Sequence, residues 1–452
     1  MKLVLGGGPA GLTAAHELAS RGHRCTVLEQ DAVVGGLART VDYKGFLFDI
    51  GGHRFYTTAP VVEAIWRDVL GPDLIERPRL SRIYYRGHFF QYPLEIGNVL
   101  TGLGPVEILR CGASYLKAQI APTRPEGDFA TWVSNRFGRR LFEIFFRTYT
   151  EKVWGIPCSQ IGSEWAAQRI RGLSLRSVVS DAFRSGGKGN VRSLIKSFLY
   201  PRRGPGMMWS RMAQQLEAGG NPVLVNHPVT RIHWKPGRVL AVEAGGKSFD
   251  GDGFISTLPL RHLIHMLDPA PPARLKAAAE LFKYRDFLTV ALMIRKRDLF
   301  PDNWIYVHDP SVGVGRIQNF NNWSPDMTPD PDITCLGLEY FCFEGDSLWT
   351  SSDEALIERA SKEIEILGLA KKSDVVDATV VRAPKAYPVY DSTYREGLDA
   401  VRDFLRDLPN FQVAGRNGMH RYNNQDHAML SGILAARNLM GGSYDLWDFA
   451  SA

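Results

Sequence analysis

The sequence predicts an α/β fold that combines a parallel sheet with an inserted helical domain and a mainly antiparallel β domain. Three observations support this prediction. The short apolar run Lys2–Leu5 is followed by a glycine-rich turn and then by apolar residues at helical spacing. From about residue 96 to 204, apolar side chains recur every three or four residues, whereas residues 266 to 375 are richer in strand-like runs. With 452 residues, the chain is long enough for two or three structural units.

The first element is a strand–turn–helix unit. After Lys2–Leu5, the turn Gly6-Gly7-Gly8-Pro9-Ala10-Gly11 has Gly-x-Gly-x-x-Gly spacing. The first glycine of this motif permits a tight turn, the second lets the backbone approach a pyrophosphate, and the third lets the helix pack on the strand. Exposed N–H groups at the helix start would bind the pyrophosphate. The next strand ends in Glu29, whose carboxylate can accept hydrogen bonds from ribose hydroxyls. The unit predicts a Rossmann-like dinucleotide-binding domain.

We predict that this domain is discontinuous in sequence. Residues 1–95 open it, short strands within 205–265 return to it, and 376–452 close it with a strand near Val413 and a final helix at Ser431–Ala436. Residues 96–204 are predicted to form the helical insertion, and residues 266–375 an antiparallel-sheet substrate domain. The runs Phe287–Ile294 and Ile333–Phe343 are the strand candidates of the substrate domain.

The composition narrows the classes of function. The 44% hydrophobic and 23% charged residues are typical of a globular protein. The formal charge of +6 is weak for nucleic-acid binding and suits a phosphorylated small molecule. No run of 18 apolar residues occurs, so we expect no membrane span, and because Lys2–Leu5 is needed as the first strand we expect no signal peptide. The five widely spaced cysteines indicate reduced thiols in a cytoplasmic protein without a metal site.

Two glycine-rich segments indicate which dinucleotide binds. Gly35-Gly36-Leu37-Ala38-Arg39 and Phe48-Asp49-Ile50-Gly51-Gly52-His53 resemble segments of flavoproteins of the amine oxidase and protoporphyrinogen oxidase type, in which a glycine turn passes beside the flavin ring. This resemblance implies that the cofactor is FAD and not NAD. The residues predicted to bind it are Gly6, Gly8, Pro9, Ala10, Gly11, Glu29, Gly36, Arg39, Gly51, Gly52, His53, Val229, Gly415, Asn424 and Gln425.

Seven segments, in the same order along the chain, resemble the eukaryotic-type UDP-galactopyranose mutases. They are Gly51-Gly52-His53; Arg82–Gly87 with Gln91-Tyr92-Pro93; Lys152–Pro157 with Trp165 and Arg169; Trp304-Ile305-Tyr306; Arg316 with Phe320–Pro325; Tyr387-Pro388; and Tyr422–His427. Tyr-Pro pairs and single arginines are common, but the ordered set from residue 51 to 427 is specific to that family.

The resemblance to this family implies a role for each matching residue. Two arginines would bind the substrate diphosphate, three tyrosines would donate to it, and an Asn-Gln pair would lie where flavin and phosphate meet. The predicted catalytic residues are His53, Arg169 and Arg316, and the predicted substrate-binding residues are Arg82, Tyr92, Glu95, Trp304, Tyr306, Tyr387, Tyr422 and Asn424.

The implied reaction interconverts the pyranose and furanose forms of a nucleotide-diphosphate sugar. In that family N5 of the reduced flavin attacks the anomeric carbon and displaces the nucleotide, and the flavin–sugar adduct opens and recloses with no net redox change. Planar guanidinium groups match diphosphate oxygens, and two of them contribute about 3–6 kcal/mol. Because a reduced flavin is required, NAD(P)H is a candidate reductant.

Two departures from the family concern the substrate. Glu95 stands where the family usually has an amide near the uracil, and a carboxylate favours a base edge with donors, such as guanine. Arg54-Phe55-Tyr56 is bulkier and more basic than the usual apolar stretch after His53. The sugar, the base and the oligomeric state therefore stay open.

Other interpretations also stay open at this point. The arginines could be solvated or form structural ion pairs, the tyrosines could be buried with hydrogen-bonded tips, and Asn424 could cap the last helix. An FAD-dependent oxidoreductase of the amine oxidase or desaturase type would transfer a hydride to the flavin. A non-enzymatic protein like the prenylated-GTPase inhibitors, which share this fold, would not need the intact Gly6–Gly11 motif.

Overall fold

The computed structural model describes residues 1–92, 94, 96–163, 196–391 and 393–448. The strands are β1 (Lys2–Leu5), β2 (Cys25–Leu28), β3 (Thr40–Tyr43), β4 (Phe46–Asp49), β5 (Leu74–Pro78), β6 (Ser81–Tyr85), β7 (His88–Gln91), β8 (Ser197–Pro201), β9 (Val223–Leu224), β10 (Val229–Lys235), β11 (Arg238–Ala244), β12 (Lys247–Asp250), β13 (Gly253–Ser256), β14 (Leu267–Asp268), β15 (Tyr284–Ile294), β16 (Trp304–Val307), β17 (Arg316–Asn319), β18 (Thr334–Cys342), β19 (Val375–Pro388) and β20 (Phe411–Val413).

The α-helices are α1 (Pro9–Ser20), α2 (Pro60–Leu70), α3 (Ile96–Leu103), α4 (Pro105–Ile120), α5 (Phe129–Phe137), α6 (Arg139–Phe142), α7 (Thr148–Trp154), α8 (Gly206–Ala218), α9 (Leu260–His265), α10 (Ala273–Glu280), α11 (Phe320–Trp323), α12 (Ser347–Thr350), α13 (Asp353–Ile366), α14 (Tyr394–Arg406), α15 (Gly415–Gly418) and α16 (Gln425–Leu439). A π-helical turn, Glu143–Arg147, joins α6 to α7. Within the described ranges, no helix combines the length and apolar character needed to cross a membrane.

A five-stranded parallel sheet, in the order β20-β13-β1-β2-β9, confirms the predicted Rossmann-like unit. Its central strand β1 pairs with β13 and β2, and β2 is buried along its whole length. Both faces of such a sheet must be covered, which explains its continuous apolar strands. The first and last helices pack tightly at this sheet, because a Cβ on Gly432 of α16 would lie 2.2 Å from the carbonyl oxygen of Ala10 in α1.

A seven-stranded sheet, in the order β19-β15-β18-β17-β16-β6-β7, forms the second unit and is antiparallel except where β16 runs parallel to β6. Its strands β15 and β18 are fully buried and confirm the two strand-like runs seen in the sequence. The sheet is not confined to the predicted range 266–375. Strands β6 and β7 come from the predicted segment 1–95, and β19 extends to residue 388 because it pairs with β15 from Ile294 to Tyr284.

The predicted helical insertion is helical from α3 to α7, over residues 96–154. The range 96–204 nevertheless ends in a strand, β8, which pairs with β5 from the first segment. Residues 164–195, which include the predicted site residue Arg169, lie outside the described part of the chain, and so does Glu95. The five cysteines lie within the described part, and all of them are buried.

Candidate functional site

A cavity of about 1210 Å³ connects the glycine turn after β1 with one face of the seven-stranded sheet. Most of the residues predicted from the sequence to bind cofactor or substrate line it. These lining residues are Gly6, Gly8, Pro9, Ala10, Glu29, Gly36, Arg39, Gly51, Gly52, His53, Tyr92, Val229, Trp304, Tyr306, Arg316, Tyr387, Gly415, Tyr422, Asn424 and Gln425. The tertiary structure therefore brings together residues that are up to about 420 positions apart.

The dinucleotide end of the cavity is a cradle made of backbone. Gly6 has φ +107°, and a Cβ there would lie 2.1 Å from Oγ1 of Thr257. A Cβ on Gly11 would lie 1.9 Å from the carbonyl oxygen of Gly6, so the third glycine serves helix packing and does not line the cavity. Gly415 has φ +81°, and a Cβ there would lie 2.9 Å from the Cβ of Ala10. Gly6 and Gly415 line the cavity without side chains and so leave the space that a pyrophosphate needs beside the start of α1, which fits FAD.

Glu29 closes this end of the cavity at the end of β2. Its carboxylate accepts hydrogen bonds from the N–H groups of Gly7 at 2.6 Å and Asp31 at 2.9 Å. Burial raises the pKa of Glu29, although these two bonds act in the opposite direction. Arg39 pairs with Asp31 at 2.5 Å. A buried acid held by backbone N–H groups beside the glycine turn has the position predicted for the ribose-binding carboxylate.

The turn Gly51–His53 lies at the middle of the cavity. Gly51 has φ +86°, and a Cβ on Gly52 would lie 2.8 Å from Nε2 of Gln318. Burial, and then the positive charges of Arg416 and Arg316, lower the pKa of His53 to about 3. Its imidazole is therefore neutral at ordinary pH and can hydrogen-bond a ligand without adding a charge. The Gln425 amide donates to the carbonyl oxygen of His53 at 3.3 Å, which joins α16 to this turn.

Arg316 forms the wall of the cavity beside the turn, where a Cβ on Gly51 would lie 3.7 Å from its Nη2. It stands on β17 in register with Tyr306 of β16 and with Glu339 of β18. Its Nε donates to the fully buried Glu339 carboxylate at 2.5 Å, and Gln318 donates to the other carboxylate oxygen at 2.8 Å. Because Nε carries this ion pair, the two terminal nitrogens remain for a ligand in the cavity. The guanidinium is fixed by its partner before any ligand binds.

Two tyrosines and an arginine form the third wall. The rings of Tyr387 and Tyr422 are stacked, with centroids 5.8 Å apart. The guanidinium carbon of Arg416 lies 5.3 Å from the first ring centroid and 4.9 Å from the second, and its nitrogens donate to the carbonyl oxygens of Ala386 and Asn423. Burial raises the pKa of Tyr387 to about 12, so its hydroxyl keeps its proton and can donate.

The helical insertion supplies the last wall through α7. Tyr149 stacks on His308 with ring centroids 5.0 Å apart, and it also contacts Tyr306. One turn later, Nζ of Lys152 donates to the carbonyl oxygens of Val307, Asp309 and Val314. Burial lowers the pKa of Lys152 to about 8. This ammonium group therefore fastens the helix to the edge of the seven-stranded sheet.

Besides Gly11, one predicted site residue in the described part of the chain does not line the cavity. Arg82 was predicted to bind substrate, but its guanidinium pairs with the fully buried Asp302 at 2.5 Å and stacks on Phe89. Neighbouring side chains of a strand point to opposite faces, and it is the next residue, Ile83, that lines the cavity. Asn424 is the N-cap residue of α16, but its side chain makes no capping hydrogen bond and lines the cavity instead.

The sequence-based prediction missed several polar residues that line the cavity. They are Arg54, Arg79, Tyr149, His308, Gln318 and Arg416. Arg54 was noted only as a departure from the mutase pattern. Arg416 directly follows Gly415, which was predicted to bind the cofactor. Side chains two residues apart on a strand point to the same face, so Gln318 could have been predicted from the placement of Arg316 on β17.

Comparisons with known proteins agree with this architecture. The profile of the family described as flavin containing amine oxidoreductase matches residues 9–440. The chain is 39% identical to protoporphyrinogen oxidase 2 of Arabidopsis thaliana, over 92% of this chain and 89% of that protein. It is 26% identical to an inactive all-trans-retinol 13,14-reductase of Danio rerio, and that match spans 51% of this chain and only 42% of the reductase. A crystal structure of reduced UDP-galactopyranose mutase shares the fold, with a TM-score of 0.85, 22% identity, and coverage of 98% of this chain and 96% of that one.

Proposed function

The chain belongs to the flavin-containing amine oxidoreductase family, and we propose that this FAD-dependent enzyme is a nucleotide-sugar mutase that interconverts pyranose and furanose forms. The observation that carries the proposal is the wall beside the Gly51–His53 turn. There, Arg316 is surrounded by Tyr306, Tyr387 and Tyr149 in the same cavity as the dinucleotide cradle. A guanidinium among tyrosine hydroxyls is suited to a diphosphate, which a simple oxidase substrate does not require.

Reduced FAD, when bound, would supply the nucleophile for the anomeric carbon of the sugar. In this proposal the terminal nitrogens of Arg316 bind the diphosphate as it becomes the leaving group. Tyr387, whose hydroxyl keeps its proton, donates to the same oxygens, and Tyr306 and Tyr422 complete the set. Neutral His53 binds a sugar hydroxyl near the flavin side. Aromatic walls exclude water, which strengthens each of these hydrogen bonds and protects the sugar from hydrolysis.

The test is an anaerobic turnover assay with the purified holoenzyme. The flavin is reduced with dithionite, a panel of UDP-, GDP- and dTDP-sugars is added, and the products are followed by NMR. We expect one nucleotide sugar to be converted into an isomer over many turnovers with reduced flavin and none with oxidised flavin. The panel also tests the proposal that Glu95 selects the base. Absence of any isomer would contradict the mutase proposal.

A second candidate function is an FAD-dependent oxidoreductase. It is favoured by the 39% identity to a protein named protoporphyrinogen oxidase over nearly the full chain. This function predicts that an organic donor reduces the oxidised flavin under anaerobic conditions and that no sugar isomer forms.

NAD(P)H is proposed as the reductant of the flavin if the enzyme is a mutase. Anaerobic bleaching of the bound flavin by NADH or NADPH tests this proposal separately.

A further inference from the structure

Two arginines that the proposed reaction does not use lie near the same aromatic ring in the cavity. The guanidinium carbon of Arg54 lies 5.9 Å from the ring centroid of Trp304, and that of Arg79 lies 5.6 Å from it. Arg79 also lies 5.7 Å from the ring centroid of Tyr92. All four side chains line the cavity, and Arg54 directly follows the Gly51–His53 turn.

Neither arginine is neutralised by an acid of the described chain. Nη1 of Arg54 and Nε of Arg79 are buried and lack a hydrogen-bond partner among the described residues. Arg79 makes one weak hydrogen bond, from Nη2 to Oγ of Ser81 at 3.3 Å. Burial, and next the charge of Arg54, lower the pKa of Arg79. Both arginines are half-buried, and a buried guanidinium N–H without an acceptor is unfavourable, so these two nitrogens favour an anionic ligand in the cavity.

The contrast with Arg316 shows that this is a separate anion site. Arg316 has a buried counter-ion in Glu339, whereas the pair at Trp304 has none among the described residues. Trp304 and Tyr306 are two residues apart on β16, so they project from the same face, roughly 7 Å apart. Tyr306 is in register with Arg316. Besides Arg316 and Arg416, the cavity therefore holds a further positive centre at Trp304, and its spacing from Arg316 fits two anionic groups of one small molecule.

We propose that Arg54 and Arg79 bind a carboxylate on the sugar of the substrate, so that the preferred nucleotide sugar is an acidic one. This inference rests on the proposed mutase function, in which Arg316 binds the diphosphate. Arg54 follows the flavin-side turn directly, which places the second anion near the reacting sugar. A carboxylate matches two converging guanidinium groups, whereas the hydroxymethyl group of a neutral sugar would leave both of them without a counter-charge.

The experiment measures binding and does not depend on turnover. Titration calorimetry on the reduced holoenzyme compares UDP-glucuronic acid with UDP-glucose, which differ only in the carboxylate. We expect the acidic sugar to bind at least about tenfold more tightly. Arg54→Met and Arg79→Met should each remove most of that difference and change the affinity for UDP-glucose less than about twofold. Met retains the apolar stem, and Arg54→Lys should retain part of the preference.

The matched control is Arg274→Met, which removes an exposed arginine of α10 and should leave both affinities unchanged. Equal affinity of the wild-type protein for the two sugars overturns the inference. An equal loss of affinity for both sugars in the Met variants overturns it as well. If the Met variants bind NADPH more weakly but bind NADH and both sugars as the wild type does, the pair binds the extra phosphate of the reductant. That result also overturns the inference. A preference for the acidic sugar without isomerisation of any sugar supports the anion site and contradicts the mutase function.

Discussion

The two ends of the cavity are built from different parts of the chain: backbone at the dinucleotide end and side chains at the proposed substrate end. At the dinucleotide end, consecutive residues supply backbone N–H groups, and glycines keep the space empty. At the substrate end, side chains from β16, β17, β19, α7 and the segment before α16 converge from positions far apart in sequence. A cradle of backbone tolerates little change, because any Cβ intrudes. An end built from side chains can change its specificity by substitution while the cofactor site stays intact.

The largest expected effect comes from adding one carbon at the dinucleotide end. In Gly11→Ala the new Cβ would lie 1.9 Å from a backbone oxygen, so strand β1 and helix α1 must separate. We expect the variant to purify without yellow colour or not to fold, as measured by absorbance and thermal unfolding. The matched control is Gly112→Ala in α4, where nothing lies within 4 Å. A Gly11→Ala protein with full flavin content would contradict the assignment of this end.

At the substrate end, the variant Arg316→Met tests whether Arg316 stabilises the sheet, binds the diphosphate, or does both. The change leaves the buried Glu339 unpaired, which costs about 3–5 kcal/mol of the free energy of unfolding. Adding Glu339→Gln should restore most of that stability, measured by chemical denaturation. Isomerisation should stay reduced by about tenfold or more in the double variant, because the charged donor to the diphosphate is still absent. Recovery of activity together with stability would show that Arg316 only holds the sheet.

The substrate end should also determine the acid sensitivity of the protein. Burial lowers the pKa of His308 from 6.5 to about 3, so the unfolded chain binds more protons between these pH values. The free energy of unfolding should therefore fall as the pH drops below about 6.5, with a contribution of about 1.4 kcal/mol per pH unit from this residue. His308→Gln should show a shallower fall, measured by denaturation at pH 4.5 to 7. The control His23→Gln removes an exposed histidine and should not change the slope.

The smallest expected effect concerns a single hydroxyl. Tyr387→Phe removes a neutral donor proposed for the diphosphate, and such a bond contributes about 0.5–1.5 kcal/mol. We expect roughly a two- to tenfold rise in KM for the nucleotide sugar, with an unchanged melting temperature. Tyr43→Phe removes a hydroxyl that donates to Asp377 outside the cavity and should leave KM unchanged. An unaltered KM in Tyr387→Phe would assign that ring to packing against Tyr422.

The sequence predicted the two ends unequally. Gly6, Gly11 and Glu29 were found because a local pattern of strand, turn and helix specifies them. Arg54 and Arg79 were missed because their proximity to Trp304, away from every described acid, exists only in the tertiary structure. Arg82 was predicted to bind substrate but does not line the cavity. Neighbouring residues of β6 point to opposite faces of the sheet, so an error of one residue puts a side chain on the wrong face. The domain boundaries predicted near residues 95 and 375 do not match the limits of the seven-stranded sheet, which includes β6, β7 and the end of β19. Strand pairing, and not composition, decides which segments belong to a sheet.

The membership of β6, β7 and β19 in one sheet has a consequence for synthesis. Residue 91 leaves the ribosome roughly 15–60 s before residue 388, at the usual rates of translation. During that interval the early strands have no complete sheet to join, and β1 likewise waits for β20 on the far side of β13. The nascent chain therefore exposes apolar strand edges until it is almost finished, and we expect chaperones to engage it before release.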